Sequence, residues 1–146
     1  MEQYFALLRQ CPLFQGISPQ ELSQMLPCLG PRHMQVKKHQ MIFRAGDPAR
    51  WVGLVLSGAV HVIQEDYYGN RSIVSTFQPP QLFGEAFACA GVASLPVSVE
   101  AAQDSTLLLL DCQRVIRTCS DACAFHQRLL SNLLHVVAAK NLLLTQ

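Results

Sequence analysis

From Arg32 to Asp111 apolar residues recur at every second position in short runs separated by glycine, proline and asparagine. A helix cannot bury that pattern on one face, whereas pleated strands can. Met34 and Val36, then Met41 and Phe43, flank a turn at Lys37 to His39. Arg44 to Pro48 reads as a turn, Trp51 to Leu56 as a strand, Ser57 and Gly58 as a corner, and Ala59 to Gln64 as the returning strand. Tyr68 to Asn70 turns the chain into Ser72 to Phe77, and Val97 to Ala101 and Ser105 to Leu110 follow. The last of these is too apolar for a strand with one wet face. Roughly eight strands at regular spacing predict a closed antiparallel roll or jelly roll.

Helical spacing governs both flanks. Tyr4, Leu7, Leu8 and Cys11 lie on one face, and Ser18 to Glu21 forms a capping box with Pro19 at the first helical position. Leu22, Met25, Leu26 and Leu29 continue that stripe to Gly30 and Pro31. After Asp111 a short helix over Cys112 to Cys119 is predicted, then a long one capped by Asp121. Apolar residues cover about two-thirds of the long helix, wider than one domain face requires. Leu130, Leu133, Val137 and Leu144 fit an a/d-like seam that Lys140 interrupts. One side is therefore expected on the roll and the other on a partner helix. The helix runs to the end without a stop signal, which predicts that the native polypeptide continues. The chain thus divides into N-terminal helices (1–30), a β-roll (31–111) and a short helix with a long dimerisation helix (112–146).

The 146 residues suit one domain, 50% apolar and only 14% charged, with a formal net charge of +1. No basic field is present to draw the chain to nucleic acid or to a membrane surface. The N-terminus carries an early acid and no secretory signal pattern, and no apolar run approaches the ~20 residues that span a bilayer. A cytoplasmic protein with its six cysteines mostly as free thiols is expected. Cys119 and Cys123, with His126 close by, are read as small apolar residues at a helix start rather than as metal ligands.

The order of parts resembles the sensor domain of the Crp/Fnr transcription regulators, within the wider cyclic-nucleotide-binding fold. The residues that carry it are Ile42 to Val62, Gly69, Phe83-Gly84-Glu85 and Pro96 to Asp111, with glycines at 46, 58, 69 and 84. The implied fold is mainly β with flanking helices: a double-stranded β-helix (jelly roll) plus a long C-terminal dimerisation helix. Gly84 lacks a Cβ where a ligand or another strand must approach.

In nucleotide-binding members a short helical turn follows the Gly-Glu pair, and its N–H groups face the cyclic phosphate. The Glu accepts the ribose hydroxyl, and an Arg about ten residues later neutralises the phosphate. The corresponding window here, Gly91 to Ser98, contains no Arg or Lys; Leu95 and Pro96 stand where the Arg would lie, and the nearest preceding base is Arg71. Burying a phosphate without a cation costs on the order of several kcal/mol, and N–H groups at a helix start return about 1 kcal/mol. Cyclic AMP and cyclic GMP are therefore disfavoured. The expected site for a smaller or less charged effector comprises Phe83, Gly84, Glu85, Ala86, Leu95, Pro96, Val97 and Ser98, with His61 as a further candidate and Ser94 as another hydroxyl nearby.

The expectation is an effector-sensing homodimer that reaches DNA only through a domain outside this chain, with no membrane contact, no catalytic or metal site and no predicted cofactor. The alternative is a free-standing cyclic-nucleotide-binding regulatory module. A cupin-like metalloenzyme would need a His/Glu triad, for which His61 lies in a strand and His33 and His39 only at strand edges. An iron–sulfur cluster lacks its N-terminal cysteine group, since only Cys11 precedes Cys28. Trp51 is read as a packing aromatic. Cys89, placed near a helix N-terminus, is a candidate redox thiol.

Overall fold

The structure of the chain, a computed structural model, describes residues 4–117 and 124–145. Asp121, Cys119 and Cys123 lie outside the described residues, so neither the proposed helix cap nor the cysteine pair is placed. Two short helices lead in: α1 (Phe5–Gln10) and α2 (Pro19–Met25), each followed by a single 3-10 turn. The Ser18 side chain accepts from the Glu21 N–H, and Glu21 returns the bond to the Ser18 N–H, as the capping box predicts.

Eight strands follow among the described residues: β1 (Arg32–Val36), β2 (Met41–Phe43), β3 (Trp51–Ser57), β4 (Val60–Glu65), β5 (Arg71–Phe77), β6 (Leu82–Phe83), β7 (Ser98–Ala101) and β8 (Ser105–Asp111). They form two antiparallel four-stranded sheets, ordered β1-β8-β3-β6 and β2-β7-β4-β5. A short helix α3 (Glu85–Cys89) separates β6 from β7, and α4 (Cys112–Ile116) and α5 (Ala124–Thr145) follow β8. The predicted helix over 112–119 is shorter, because Arg117 turns extended at its C-cap.

The central strands of the first sheet, β3 and β8, are wet on neither face. Val55 of β3 and Leu107 and Leu109 of β8 enter the roll core, with Val36, Phe43, Phe83, Leu95 and Val99. Their alternates Val52, Leu54, Leu56, Leu108 and Leu110 enter a second core with Leu13, Phe14, Leu22, Met25 and Leu29. This explains the unbroken apolar run of β8: it is a central strand between two hydrophobic layers. The helix α5 closes the second core with Leu129 and Leu133, which are 0% and 5% exposed. Trp51 packs between the guanidinium groups of Arg32 and Arg50, each 4.8 Å from its ring.

Two glycines hold the signature segment in place. A Cβ at Gly53 would collide with the Phe83 ring, which lies over it from the paired strand β6. Gly84 has φ of 80°, and a Cβ there would lie 3.1 Å from the Trp51 carbonyl oxygen. What approaches Gly84 closely is thus the backbone of β3.

Candidate functional site

The turn at Gly84 delivers Glu85 away from the roll core, into the layer between β6, α3 and α5. The residue is 2% exposed. The partner is Lys140 of α5, whose Nζ donates to Glu85 Oε1 and also, at 3.0 Å, to the Leu82 carbonyl. The same ammonium stands 4.8 Å from the centre of the Phe77 ring. Glu85 Oε2 is buried with no hydrogen-bond partner. An unmet carboxylate oxygen costs on the order of 1–3 kcal/mol, so this position holds a standing acceptor for any donor that reaches it.

Position along α5 explains the contact. Leu129, Leu133, Val136 and Lys140 recur at spacings of four, three and four and so share one helix face. Leu129, Leu133 and Val136 pack into the second core, and the same face carries Lys140 to Glu85. Lys140 interrupts the seam predicted from sequence because it belongs to the inward stripe. Leu133, one of the four predicted seam residues, is taken up by the chain's own core, and Val137 packs partly against it; Leu130 is half-buried, and the Leu144 side chain lies outside the described residues. Leu134, next to Leu133, is 72% exposed.

A groove of about 410 Å³ lies beside this contact and is lined by Lys140 and Leu82, though not by Glu85 itself. Pro12 and Gln15 line one side, Pro80 and Leu82 another, and Val136, Ala139 and Lys140 of α5 the third. Asn132 ties α5 to the lead-in beside it, donating to the Leu13 and Gln15 carbonyls at 2.9 and 2.8 Å.

The other residues singled out from sequence do not converge on one cavity. Phe83, Leu95 and Val97 are buried apolar residues, the first two in the roll core, while Ala86 and Pro96 are exposed. The Ser98 hydroxyl accepts from the Ala45 N–H at 2.9 Å, and Leu95 exchanges backbone bonds with Gly46 and Asp47, both 2.8 Å. The window that would hold a phosphate is therefore closed on the Arg44 to Pro48 turn by its own hydrogen bonds. Arg71 pairs with Glu100 at 3.5 Å and Glu65 at 3.7 Å. His61 sits on β4 between Val60 and Val62, which face the roll core, and its Nδ1 is bonded to Thr76 Oγ1 of β5 at 3.0 Å. Among the described residues no group of three His, Cys, Asp or Glu side chains is placed to hold a metal ion.

Cys89 is the last residue of α3, not near its N-terminus, so the helix start does not act on its thiol. Its neighbour is Cys112, Sγ to Sγ 3.9 Å away. A hydrogen bond from Cys112 holds the Cys89 thiol below its ordinary range, against the opposing effects of burial and the Glu85 charge. The same bond, with burial, pushes Cys112 far up. Sequence reasoning missed both Lys140 as the partner of Glu85 and Cys112 as the partner of Cys89. The only trace of the first was a single lysine in an otherwise uncharged stretch from Leu129 to Leu144.

The two-sheet roll, the glycine-positioned Phe83-Gly84-Glu85 turn and the closing helix agree with comparison to known proteins. The family profile for the cyclic nucleotide-binding domain matches residues 33–121. Among solved structures, the catabolite activator protein of Thermus thermophilus is 26% identical, with a TM-score of 0.67, over 88% of this chain and 55% of that one. The sensor domain of the transcriptional regulator DNR from Pseudomonas aeruginosa is 21% identical, with a TM-score of 0.72, over 99% and 90%. The regulatory subunit of a cAMP-independent protein kinase A from Trypanosoma brucei is 19% identical, with a TM-score of 0.72, over 95% and 46%. No sequence match is found among curated proteins. The chain spans little more than half of the Thermus protein, and among the described residues no helix is long and apolar enough to cross a membrane. With the profile covering most of its length, and the strand order and Gly-Glu turn in place, the chain belongs to the cyclic nucleotide-binding domain family.

Proposed function

We propose that this domain is the effector-sensing and dimerisation part of a Crp/Fnr-like transcription regulator, and that its effector is a small molecule other than a cyclic nucleotide. The observation that carries this reading is the Glu85–Lys140 pair. The carboxylate that the family's nucleotide-binding members offer to a ribose hydroxyl is held by the long helix. An effector that supplies a donor to Glu85 Oε2, or an acceptor to Lys140 Nζ, changes the balance of that bond and with it the seat of α5. The groove beside the pair mixes apolar residues with Gln10, Gln81, Asn132 and His135 and carries the Lys140 ammonium, which suits a small molecule with an apolar body and a polar end. DNA contact belongs, on this reading, to a separate domain outside these 146 residues.

The absence of a free cation in the 91–98 window supports the exclusion of cyclic nucleotides. Calorimetric titration with cyclic AMP and cyclic GMP is expected to give no saturable heat in the micromolar range. Micromolar binding of either would replace this reading by the alternative of a free-standing cyclic-nucleotide-binding module.

Dimerisation is assigned to the α5 stripe next to the buried one. Leu130, Leu134, Val137, Asn141 and Leu144 recur at spacings of four, three, four and three, so Leu134 takes the seam position that Leu133 vacates. Asn141 at one seam position would fix register at some cost in stability. Light scattering should find a dimer, and Leu134→Glu should give monomers with an unchanged circular dichroism spectrum. A wild-type monomer in that measurement would remove the dimer from the proposal.

A further inference from the structure

We propose that Cys89 and Cys112 form a reversible intramolecular disulfide in response to hydroperoxides, giving the domain a redox input separate from its effector site. The two thiols lie 3.9 Å apart although 23 residues separate them in the chain, and they belong to two different short helices, α3 and α4, that pack together. A disulfide requires the sulfurs to close to about 2.05 Å, a movement within reach of side-chain rotation and a small approach of the helices. No third ligand stands near enough to make a metal site among the described residues, so the pair is not a fragment of a zinc centre.

The two cysteines are unequal in the way such chemistry needs. Cys89 is only partly buried, which leaves it the more open of the two to a small oxidant, and its hydrogen bond with Cys112 holds its thiol low. Cys112 is 1% exposed, enclosed by the second core, and keeps its proton. Cys89, the more exposed of the two sulfurs, is therefore the one that meets the peroxide, and the enclosed Cys112 is the resolving thiol. The Cys89 sulfur attacks one peroxide oxygen, the O–O bond breaks, and hydroxide leaves and takes up a proton as water, with Cys89 now a sulfenic acid. The Cys112 sulfur then attacks the Cys89 sulfur, the S–O bond breaks, and a second water carries away the hydroxyl with the Cys112 proton. Two thiols are oxidised by two electrons in total, and one peroxide is reduced to two waters. The other described cysteines lack this arrangement: burial pushes the Cys11 thiol up to about 11, and Cys28 is exposed without a thiol beside it.

The position links this chemistry to the rest of the domain. Cys89 closes the five-residue helix that opens with Glu85, and Cys112 opens α4, whose Val115 lies in the same core as Leu129 and Leu133 of α5. A bond between them ties the Glu85 helix to the base on which the long helix rests.

The test uses the full chain, reduced, desalted and treated with a modest excess of hydrogen peroxide. Remaining thiols are then alkylated and the protein is mapped as peptides without reductant. The expected result is a peptide pair joining Cys89 to Cys112, lighter by two hydrogens than its separate parts and released by dithiothreitol. In Cys112→Ala the same treatment should leave Cys89 as a sulfenic acid that dimedone traps, or as the sulfinic acid beyond it. Recovery of both cysteines alkylated after excess peroxide would overturn the proposal. So would wild-type protein in which Cys89 is over-oxidised or bonded to a different cysteine while Cys112 stays alkylated. Should the alanine variant fail to fold, the wild-type map decides the question by itself. Its outcome is independent of whether any effector binds at Glu85.

Discussion

Gly53→Ala should destabilise the domain by about 3 kcal/mol, the upper part of the range for overpacking a closed core. The new methyl would fall within the Phe83 ring, and that ring cannot withdraw because it is fully buried and faces Phe43 at 6.1 Å between centroids. The strain would also reach Glu85, two residues further on, so the loss of stability should be accompanied by changed packing at α5. A second substitution separates this cause from a general intolerance of alanine in β3. Phe83→Leu should cost about 1–2 kcal/mol in the native background. In the Gly53→Ala background it should be neutral or stabilising, since the smaller side chain makes room for the methyl. Chemical denaturation of the four proteins measures both. Equal costs of Phe83→Leu in the two backgrounds would show that the glycine is needed for some reason other than the ring.

Lys140→Met is the second large effect. It keeps the volume of the stem but leaves Glu85 buried with both oxygens unpartnered. Removing one member of a fully buried ion pair costs about 3–5 kcal/mol. The Lys140 side chain is 36% exposed, so water already screens part of the interaction, and about 2–3 kcal/mol is expected here. For a domain of this size that corresponds to a fall in Tm of roughly 10 °C. Amide exchange should speed up most in the last turns of α5, because Lys140 is their polar tie to β6 and α3. Lys140→Arg should not restore the wild type, since a guanidinium fork cannot occupy the position of a single ammonium that also reaches the Leu82 carbonyl. An unchanged Tm for Lys140→Met would mean that Glu85 finds another partner or takes a proton, and the helix would then have no electrostatic tie to the signature segment.

The roll was readable from sequence because its determinants are local. Alternation sets strand faces residue by residue, and Gly46, Gly58 and Gly69 all have positive φ at the turns where the pattern breaks. The capping box and the two-layer burial of β8 were readable for the same reason. What the sequence could not supply were contacts between distant positions. Glu85 and Lys140 are 55 residues apart, and nothing in either neighbourhood names the other. The Gly-Glu turn is consistent with a carboxylate aimed at a ligand or at a helix. Only the rotation of α5 about its axis decides which, and apolar residues around most of that helix leave the rotation undetermined. The same ambiguity put Leu133 on the outer seam, although it and Leu129 fill the inner one. Gly53 was hidden inside an apolar strand, where a glycine signals a close approach but not what approaches. His61, a candidate because of its apolar neighbours, stands on the strand face opposite to Val60 and Val62.

The measurement that bears most directly on the account is a double-mutant cycle between Glu85 and Lys140. Stabilities would be compared for the wild type, Glu85→Gln, Lys140→Met and the double variant. If the long helix is tied to the signature carboxylate, the two substitutions are strongly non-additive, with a coupling of about 1.5 kcal/mol or more and a double variant hardly less stable than Lys140→Met alone. Additivity within about 0.5 kcal/mol would mean that the two side chains do not interact in solution, and the route from the pocket to α5 would be lost.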